Sequence, residues 1–123
     1  MMERRRAPRL TEDNDVTITV MSADNKPSQG NIIYNRSTDI SMTGARIQSH
    51  LYLPVDSLLK IKIFLKNPPQ MITVFGKVKW IKGLVQDASY EAGIEFVDVS
   101  SEITHQLADY ILTKQQLQDL DLF

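Results

Sequence analysis

The sequence predicts a mainly β domain in which six short strands precede one C-terminal helix. Six segments alternate apolar and polar residues, which is typical of strands that bury one face. Turn-forming residues separate these segments, and the last segment is followed by apolar residues at helical spacing. This order favours a small antiparallel barrel or sandwich, and a closed barrel has the advantage that it leaves no strand edge exposed.

Length and composition fit one globular domain. The chain has 123 residues, of which 42% are hydrophobic, and it contains no cysteine. The lack of cysteine excludes disulfides, zinc fingers and thiol catalysis, and it is compatible with a reducing compartment. No apolar run approaches the ~20 residues that a membrane span needs, and residues 11–15 are polar where a secretory signal is apolar. We therefore expect a soluble, cytoplasmic protein that does not insert into membranes.

The formal net charge of -1 conceals two oppositely charged ends. Residues 1–10 hold four arginines and one glutamate, whereas residues 100–123 hold four acidic side chains and one lysine. Because the positive charge is local, the composition disfavours a protein that coats nucleic acid. The basic segment has no helical or strand period and contains Pro8. We therefore expect a flexible arm over residues 1–12, followed by the barrel and its helix over residues 13–123.

The first half of the barrel is predicted to consist of three strands that two polar segments separate. Strands are expected over residues 16–21 and 31–36, and the turn formers between them make the pair a hairpin. Residues 37–44 are polar and short-sided, and Gly44 can supply a backbone angle or a close approach that other residues do not allow. Alternation resumes at Ala45, so the segment 37–44 is predicted to be a turn between strands.

The second half of the barrel contains three more predicted strands. The fourth strand, residues 58–65, ends at a turn with two prolines. The fifth, residues 71–82, is long, and Gly76 in its middle is expected to mark a bulge or a bend. A sixth strand over residues 90–97 is followed by a helix from about 101 to 118, with N-cap candidates at its start.

Two motifs carry the candidate chemistry. Arg5 and Arg9 form an Arg-x-x-x-Arg pair in the basic arm, and Asp39-x-Ser41-x-x-Gly44 lies in the predicted turn. Arginine side chains bind phosphate, pair with the O6/N7 edge of guanine and stack on purines. Asp39 can accept hydrogen bonds from guanine N1–H and its amino group, Ser41 can bind a phosphate or hold the turn, and Gly44 can let the backbone approach a ligand. Taken alone, each motif is also consistent with a solvated tail or an ordinary turn.

The order and spacing of these motifs resemble the PilZ domain, the bacterial receptor module for cyclic di-GMP. Two later segments add to the resemblance: residues 76–80, Gly-Lys-Val-Lys-Trp, and residues 90–96, Tyr-Glu-Ala-Gly-Ile-Glu-Phe. The resemblance covers nearly the whole chain and implies a six-stranded antiparallel β-barrel with a C-terminal α-helix. It also implies that Arg5 and Arg9 grip guanine and phosphate, while the motif of residues 39–44 receives the guanine at the barrel surface.

Four further residues are weaker candidates for the ligand site. Arg4 and Arg6 flank the first motif and can clamp a second nucleotide. Trp80 resembles a position that lines the ligand surface in some family members, although it shares a predicted face with Val78, which suits core packing equally well. Arg46 is expected to face solvent, with phosphate contact as the alternative.

The resemblance implies a signalling receptor without catalytic activity. Binding of cyclic di-GMP is expected to order the arm and change contact with a downstream protein, and no metal or other cofactor is expected. An enzyme is disfavoured because His50 and His105 are the only imidazoles and no catalytic motif occurs. A protein adaptor that binds no ligand and a small barrel that binds RNA or single-stranded DNA are the alternatives.

Overall fold

The fold consists of six strands and one C-terminal helix, in the order that the sequence predicts. The computed structural model describes residues 9–21, 27–66, 68–84 and 89–120, with side chains described for all of these except 27–35 and 117–120. The elements are β1 Leu10–Met21, β2 Pro27–Ile40, β3 Gly44–Ser49, β4 Leu58–Leu65, β5 Gln70–Leu84, β6 Ser89–Val97 and α1 Ser101–Leu120.

The strands form one closed antiparallel barrel. Hydrogen bonding joins them in the order β1-β2-β3-β6-β5-β4, and β4 pairs back with β1 to close the ring. Strands that follow each other in the chain pair directly, except that β3 pairs with β6 and β4 with β1. Each strand therefore has two partners, and the barrel is the correct choice between the two predicted architectures.

The core lies inside the barrel and beneath the helix. Strand β4 shows the alternation most clearly, since Leu59, Ile61 and Ile63 have no exposed surface while Lys62 and Phe64 face outward. Such alternation is what a strand with one buried face requires. Helix α1 adds three buried side chains to the same core: Leu107, Tyr110 and Ile111.

A largely buried carboxylate, that of Glu12, ties α1 to β1. It accepts a hydrogen bond from the Tyr110 hydroxyl at 2.6 Å and from Nδ2 of Asn14 at 2.9 Å, and it lies 3.2 Å from Nζ of Lys114. Burial raises the pKa of Glu12, but these three partners outweigh burial and hold the pKa below its ordinary value. Burial likewise lowers the pKa of Lys114, and its contact with Glu12 raises that pKa overall. Polar contacts therefore add to the apolar packing of the helix.

Strand β1 begins at Leu10, earlier than predicted and within the segment assigned to the arm. Leu10 is buried and pairs with Ile40 of β2, which fixes the start of the strand. The alternation of apolar and polar residues does not reveal the start of this strand. Glu12 and Asn14, which follow Leu10 on its inward side, are polar although they face α1 and the core. These two side chains are hydrogen-bonded to each other, so polar partners replace the apolar alternation that was expected.

Strand β2 spans Pro27–Ile40, so Asp39 lies in the strand and not in a turn. The predicted turn is therefore too long, and only residues 41–43 lie between β2 and β3. Ser37 is buried within the strand, where its hydroxyl donates to the carbonyl oxygens of Asp39 and Arg46 at 3.0 and 3.2 Å. In β2, as in β1, a buried polar residue conceals the strand from a search for apolar alternation.

A bulge in β5 lies between Val78 and Trp80 and not at Gly76, where the sequence predicts a bulge or a bend. The register of β5 against β6 is regular at Gly76 and shifts after Val78. Val78 therefore has no exposed surface, whereas Trp80 is 41% exposed, and the expectation that they share a buried face is wrong. Glycine is required at position 76 by packing instead, because a Cβ there would lie 2.5 Å from Cγ2 of Ile94.

Candidate functional site

The turn between β2 and β3 is built around Ser41, which is buried. Its hydroxyl oxygen accepts hydrogen bonds from the backbone N–H groups of Thr43 and Gly44, both at 3.2 Å. The N–H of Ser41 donates to the Gly44 carbonyl at 2.9 Å, and the N–H of Phe96 donates to the Thr43 carbonyl at 2.9 Å. In this structure Ser41 holds the turn and the turn is fixed to β6.

Gly44 brings the first residue of β3 close to β6. It pairs with Glu95, and a Cβ at Gly44 would overlap the carbonyl oxygen of Ile94. Any larger residue would therefore push the two strands apart at this point. The close approach that the sequence predicts for Gly44 is found, and the neighbouring group is the backbone of β6.

The carboxylate of Asp39 binds two arginines. Its Oδ1 lies 2.5 Å from Nη1 of Arg9, and its Oδ2 lies 3.2 Å from Nε of Arg46. The Asp39 side chain is 9% exposed, whereas those of Arg9 and Arg46 are 32% and 42% exposed. The arrangement follows from the strand register, since Asp39 pairs with Thr11 on one side and Arg46 on the other. A buried carboxylate holds guanidinium groups more firmly than a solvated one does.

A groove with a volume of about 310 Å³ opens beside the two arginines. Its wall combines charged residues, one aromatic residue and the uncharged residues 43–45 and 93–94. Asp39 and Ser41 are not part of the lining, so they support the groove from behind. The charged and aromatic lining residues are Arg9, Arg46, Lys79, Trp80 and Glu95.

Positive charge predominates in the groove. Among the described residues that line it, Arg9, Arg46 and Lys79 are cationic and Glu95 is acidic. Lys79 and Glu95 approach to 3.6 Å, but their side chains are 53% and 57% exposed, so the pair contributes little and rearranges easily. Trp80 adds a partly exposed flat ring. Such a wall suits an anionic ligand that also has a flat apolar part.

The structure brings most of the predicted site residues together and adds others. Arg4, Arg5 and Arg6 lie outside the described residues, so their predicted roles stay predictions. Lys79, Gly93 and Glu95 belong to the two later segments of the resemblance but were not predicted to be site residues. Their place at the groove follows from the pairing of β5 with β6. The predicted residues found in or directly behind the groove wall are Arg9, Asp39, Ser41, Gly44, Arg46 and Trp80.

Histidine and carboxylate side chains do not cluster in the described part of the chain. It contains no group of three or more such residues placed to hold a metal ion. His50 and His105 are both exposed. Within the same ranges, no helix is long and apolar enough to cross a bilayer.

The closed barrel, its C-terminal helix and the groove beside the β2–β3 turn define a small β-barrel domain with a cationic surface site. The family model described as PilZ domain matches residues 3–113, and the chain belongs to this family. The resemblance inferred from the motifs is thereby confirmed. No curated protein sequence matches the chain significantly.

Solved structures from three organisms share the fold. The Bacillus subtilis inhibitor of motility, MotI/DgrA, has a TM-score of 0.77 at 18% identity, over 94% of this chain and 53% of its own. Escherichia coli YcgR in complex with c-di-GMP has a TM-score of 0.75 at 16% identity, over 98% and 50%. The K. pneumonia MrkH–c-di-GMP complex has a TM-score of 0.71 at 20% identity, over 99% and 57%. The chain thus spans about half the length of these proteins.

Proposed function

We propose that this protein is a cytoplasmic receptor for cyclic di-GMP that acts on a downstream protein and not by catalysis. The observation that carries the proposal is the pair of arginines, Arg9 and Arg46, which Asp39 holds at the groove of a PilZ barrel. Further support comes from YcgR and MrkH, each of which has a solved structure in complex with c-di-GMP.

The cationic side chains of the groove suit the phosphates of a cyclic dinucleotide. Each guanidinium offers a planar fork of donors that matches phosphate oxygens. Because Asp39 already fixes Arg9 and Arg46, a ligand would bind them with little further loss of side-chain freedom. Lys79 adds an exposed positive charge, and its contact with Glu95 costs little to break because both side chains are more than half exposed.

Recognition of the base would combine contacts to its edge and to its face. The guanine O6/N7 edge accepts from an arginine, and its N1–H and amino group donate to a carboxylate. Asp39 uses both oxygens on arginines, so we assign it chiefly to orienting Arg9 and Arg46. Glu95 is a carboxylate in the groove wall itself, where guanine donors can reach it, and Trp80 offers a ring for stacking.

The arm would contribute the remaining arginines. Arg9 anchors it, because its side chain binds Asp39 and its carbonyl accepts a hydrogen bond from Nε2 of Gln115 on α1 at 3.0 Å. From this anchor, we propose that residues 4–6 order over the bound ligand, as the Arg-x-x-x-Arg motif predicts. The ordered arm would change the charged surface that is offered to a protein partner.

Calorimetric titration of cyclic di-GMP into the wild-type protein tests the receptor proposal. We expect saturable binding of cyclic di-GMP and weaker binding of cyclic di-AMP, which has the same phosphates but lacks the guanine edge. Single-stranded RNA is expected not to compete, whereas a barrel that binds nucleic acid would take it up with a steep salt dependence. No heat and no thermal stabilisation at high cyclic di-GMP would contradict the proposal and favour a protein adaptor.

A further inference from the structure

Gly93 of β6 lies directly opposite Trp80 of β5. A Cβ at Gly93 would overlap Nε1 and Cε2 of the indole and would lie 2.8 Å from its Cδ1. The Trp80 ring therefore lies across the strand at the one position of its partner that has no side chain. Both residues line the groove proposed to bind the ligand.

The need for glycine at this position comes from the ring and not from the backbone. Gly93 does not adopt the left-handed conformation that favours glycine, so an alanine backbone would be unstrained there. The clash that an alanine methyl group would cause involves only atoms of the Trp80 side chain among its nearest neighbours. Because the indole is rigid, it cannot bend away from the methyl group, and the whole ring would have to shift.

Two further contacts set the orientation of the indole. The register shift after Val78 turns Trp80 out of the core, which leaves the side chain 41% exposed. Nζ of Lys82 lies 5.9 Å from the centre of the Trp80 ring, and the same ammonium group lies 3.3 Å from Glu91. The register shift therefore directs the ring into the groove wall, and the Lys82 ammonium group lies close to it there.

We infer that Gly93 is a positioning residue: its missing side chain lets the Trp80 ring lie against β6, where the ring can stack on a planar base of the ligand. The inference rests on the proposed binding of cyclic di-GMP and adds the contact to the face of the base. Trp80 is the one aromatic residue among the described residues that line the groove, so its ring supplies the flat apolar surface. Stacking of a base on an aromatic side chain is worth roughly tenfold in affinity or more.

The test compares Gly93→Ala with Gly83→Ala. Gly83 is the matched control, because it is exposed on β5 and a Cβ there would meet nothing within 4 Å. Trp80 is the only tryptophan of the chain, so its fluorescence reports the ring position directly. Without ligand, we expect a changed emission spectrum and changed quenching by iodide in Gly93→Ala and no change in Gly83→Ala. With cyclic di-GMP, calorimetry should show an affinity about tenfold lower for Gly93→Ala and unchanged for Gly83→Ala.

A double-mutant cycle separates positioning from a general effect on the barrel. In a Trp80→Ala background, Gly93→Ala should cause no further loss of affinity, because the ring it displaces is absent. The same background restores folding if Gly93→Ala alone unfolds the protein through the clash. Equal losses in both backgrounds, or an unchanged indole spectrum in Gly93→Ala, would overturn the inference. If the wild type does not bind cyclic di-GMP, the receptor proposal fails, while the fluorescence comparison still decides whether Gly93 positions Trp80.

Discussion

Arg9 and Asp39 are joined by an ion pair in which Nη1 lies 2.5 Å from Oδ1, although the two residues are 30 positions apart in the chain. The contact connects the residue that precedes β1 to the end of β2. On its other oxygen, Asp39 binds Arg46 of β3. One largely buried carboxylate therefore sets the position of both arginines in the groove.

Replacing Asp39 by asparagine should weaken cyclic di-GMP binding, because the two guanidinium groups lose the charge that orients them. We expect a loss of ~1.5–3 kcal/mol, roughly ten- to a hundredfold in affinity, measured by calorimetry on a variant that circular dichroism shows to be folded. Asp13→Asn is the matched control, since Asp13 is 60% exposed and lies 3.9 Å from Arg36. Equal affinities for Asp39→Asn and the control would argue against the orienting role.

Replacing Arg46 by lysine should weaken the binding of cyclic di-GMP. The change keeps the positive charge but removes the planar fork that can bind Asp39 and a phosphate together. We expect Arg46→Lys to bind cyclic di-GMP about tenfold more weakly, again by calorimetry. Arg36→Lys is the control, because Arg36 lies away from the groove and contacts Gln48 at 2.7 Å. Wild-type affinity in Arg46→Lys would mean that the groove recognises charge alone.

Replacing Ser41 by alanine should destabilise the barrel. The backbone N–H groups of Thr43 and Gly44 would lose the buried Ser41 hydroxyl that they share as acceptor, at a cost of about 1–3 kcal/mol. The free energy of unfolding from denaturant titration measures this cost. Ser101→Ala, at an exposed position in the first turn of α1, should change stability much less. Identical unfolding curves for the two variants would show that the Ser41 hydroxyl is not needed for the turn.

Stability should fall at both extremes of pH because of the contact between α1 and β1. The folded pKa of Glu12 lies below its ordinary value of 4.5, so the stabilisation is complete above that value and is lost as pH falls through the lowered pKa. The folded pKa of Lys114 lies above 10.5, so its contribution is complete below that value and is lost as pH rises through the raised pKa.

The Glu12→Gln variant checks the acid side of this dependence. Thermal unfolding from about pH 7 down to about pH 3 should show a smaller loss of melting temperature in Glu12→Gln than in the wild type, although its stability at neutral pH is lower. Glu102→Gln is the control, since Glu102 is exposed on the first turn of α1. If the melting temperature falls equally with pH in Glu12→Gln and in the wild type, groups other than Glu12 control the loss of stability in acid.

The parts of the fold that follow from the sequence are those with unbroken periodicity. Strand β4 has the predicted bounds, Leu58–Leu65, because aliphatic residues and outward-facing residues alternate along its whole length. Helix α1 begins at the predicted Ser101, since the hydroxyl of Ser100 accepts the N–H of Ile103 at 3.2 Å and caps it. The start of β1 was missed because Glu12 stands where an apolar residue is expected.

The site was predictable where its residues are close in sequence and not where they meet through strand pairing. Asp39, Ser41 and Gly44 form one short motif, and all three lie at the turn or beside it. Trp80 and Gly93 come together only because β5 pairs with β6 and because the register shifts between Val78 and Trp80. A bulge of one residue reverses the side that a side chain faces, and no apolar pattern marks its position.

Amide chemical shifts of the isotope-labelled protein, recorded by two-dimensional NMR during titration with cyclic di-GMP, test most directly whether the groove is the ligand site. We expect the largest changes at residues 43–46, 79–80 and 93–95, which line the groove. A second cavity of about 310 Å³, between α1 and the start of β5, is lined by Gln70 and Gln106 among others and serves as the internal reference. Changes confined to that cavity, or no changes at saturating ligand, would contradict binding in the groove beside the two arginines.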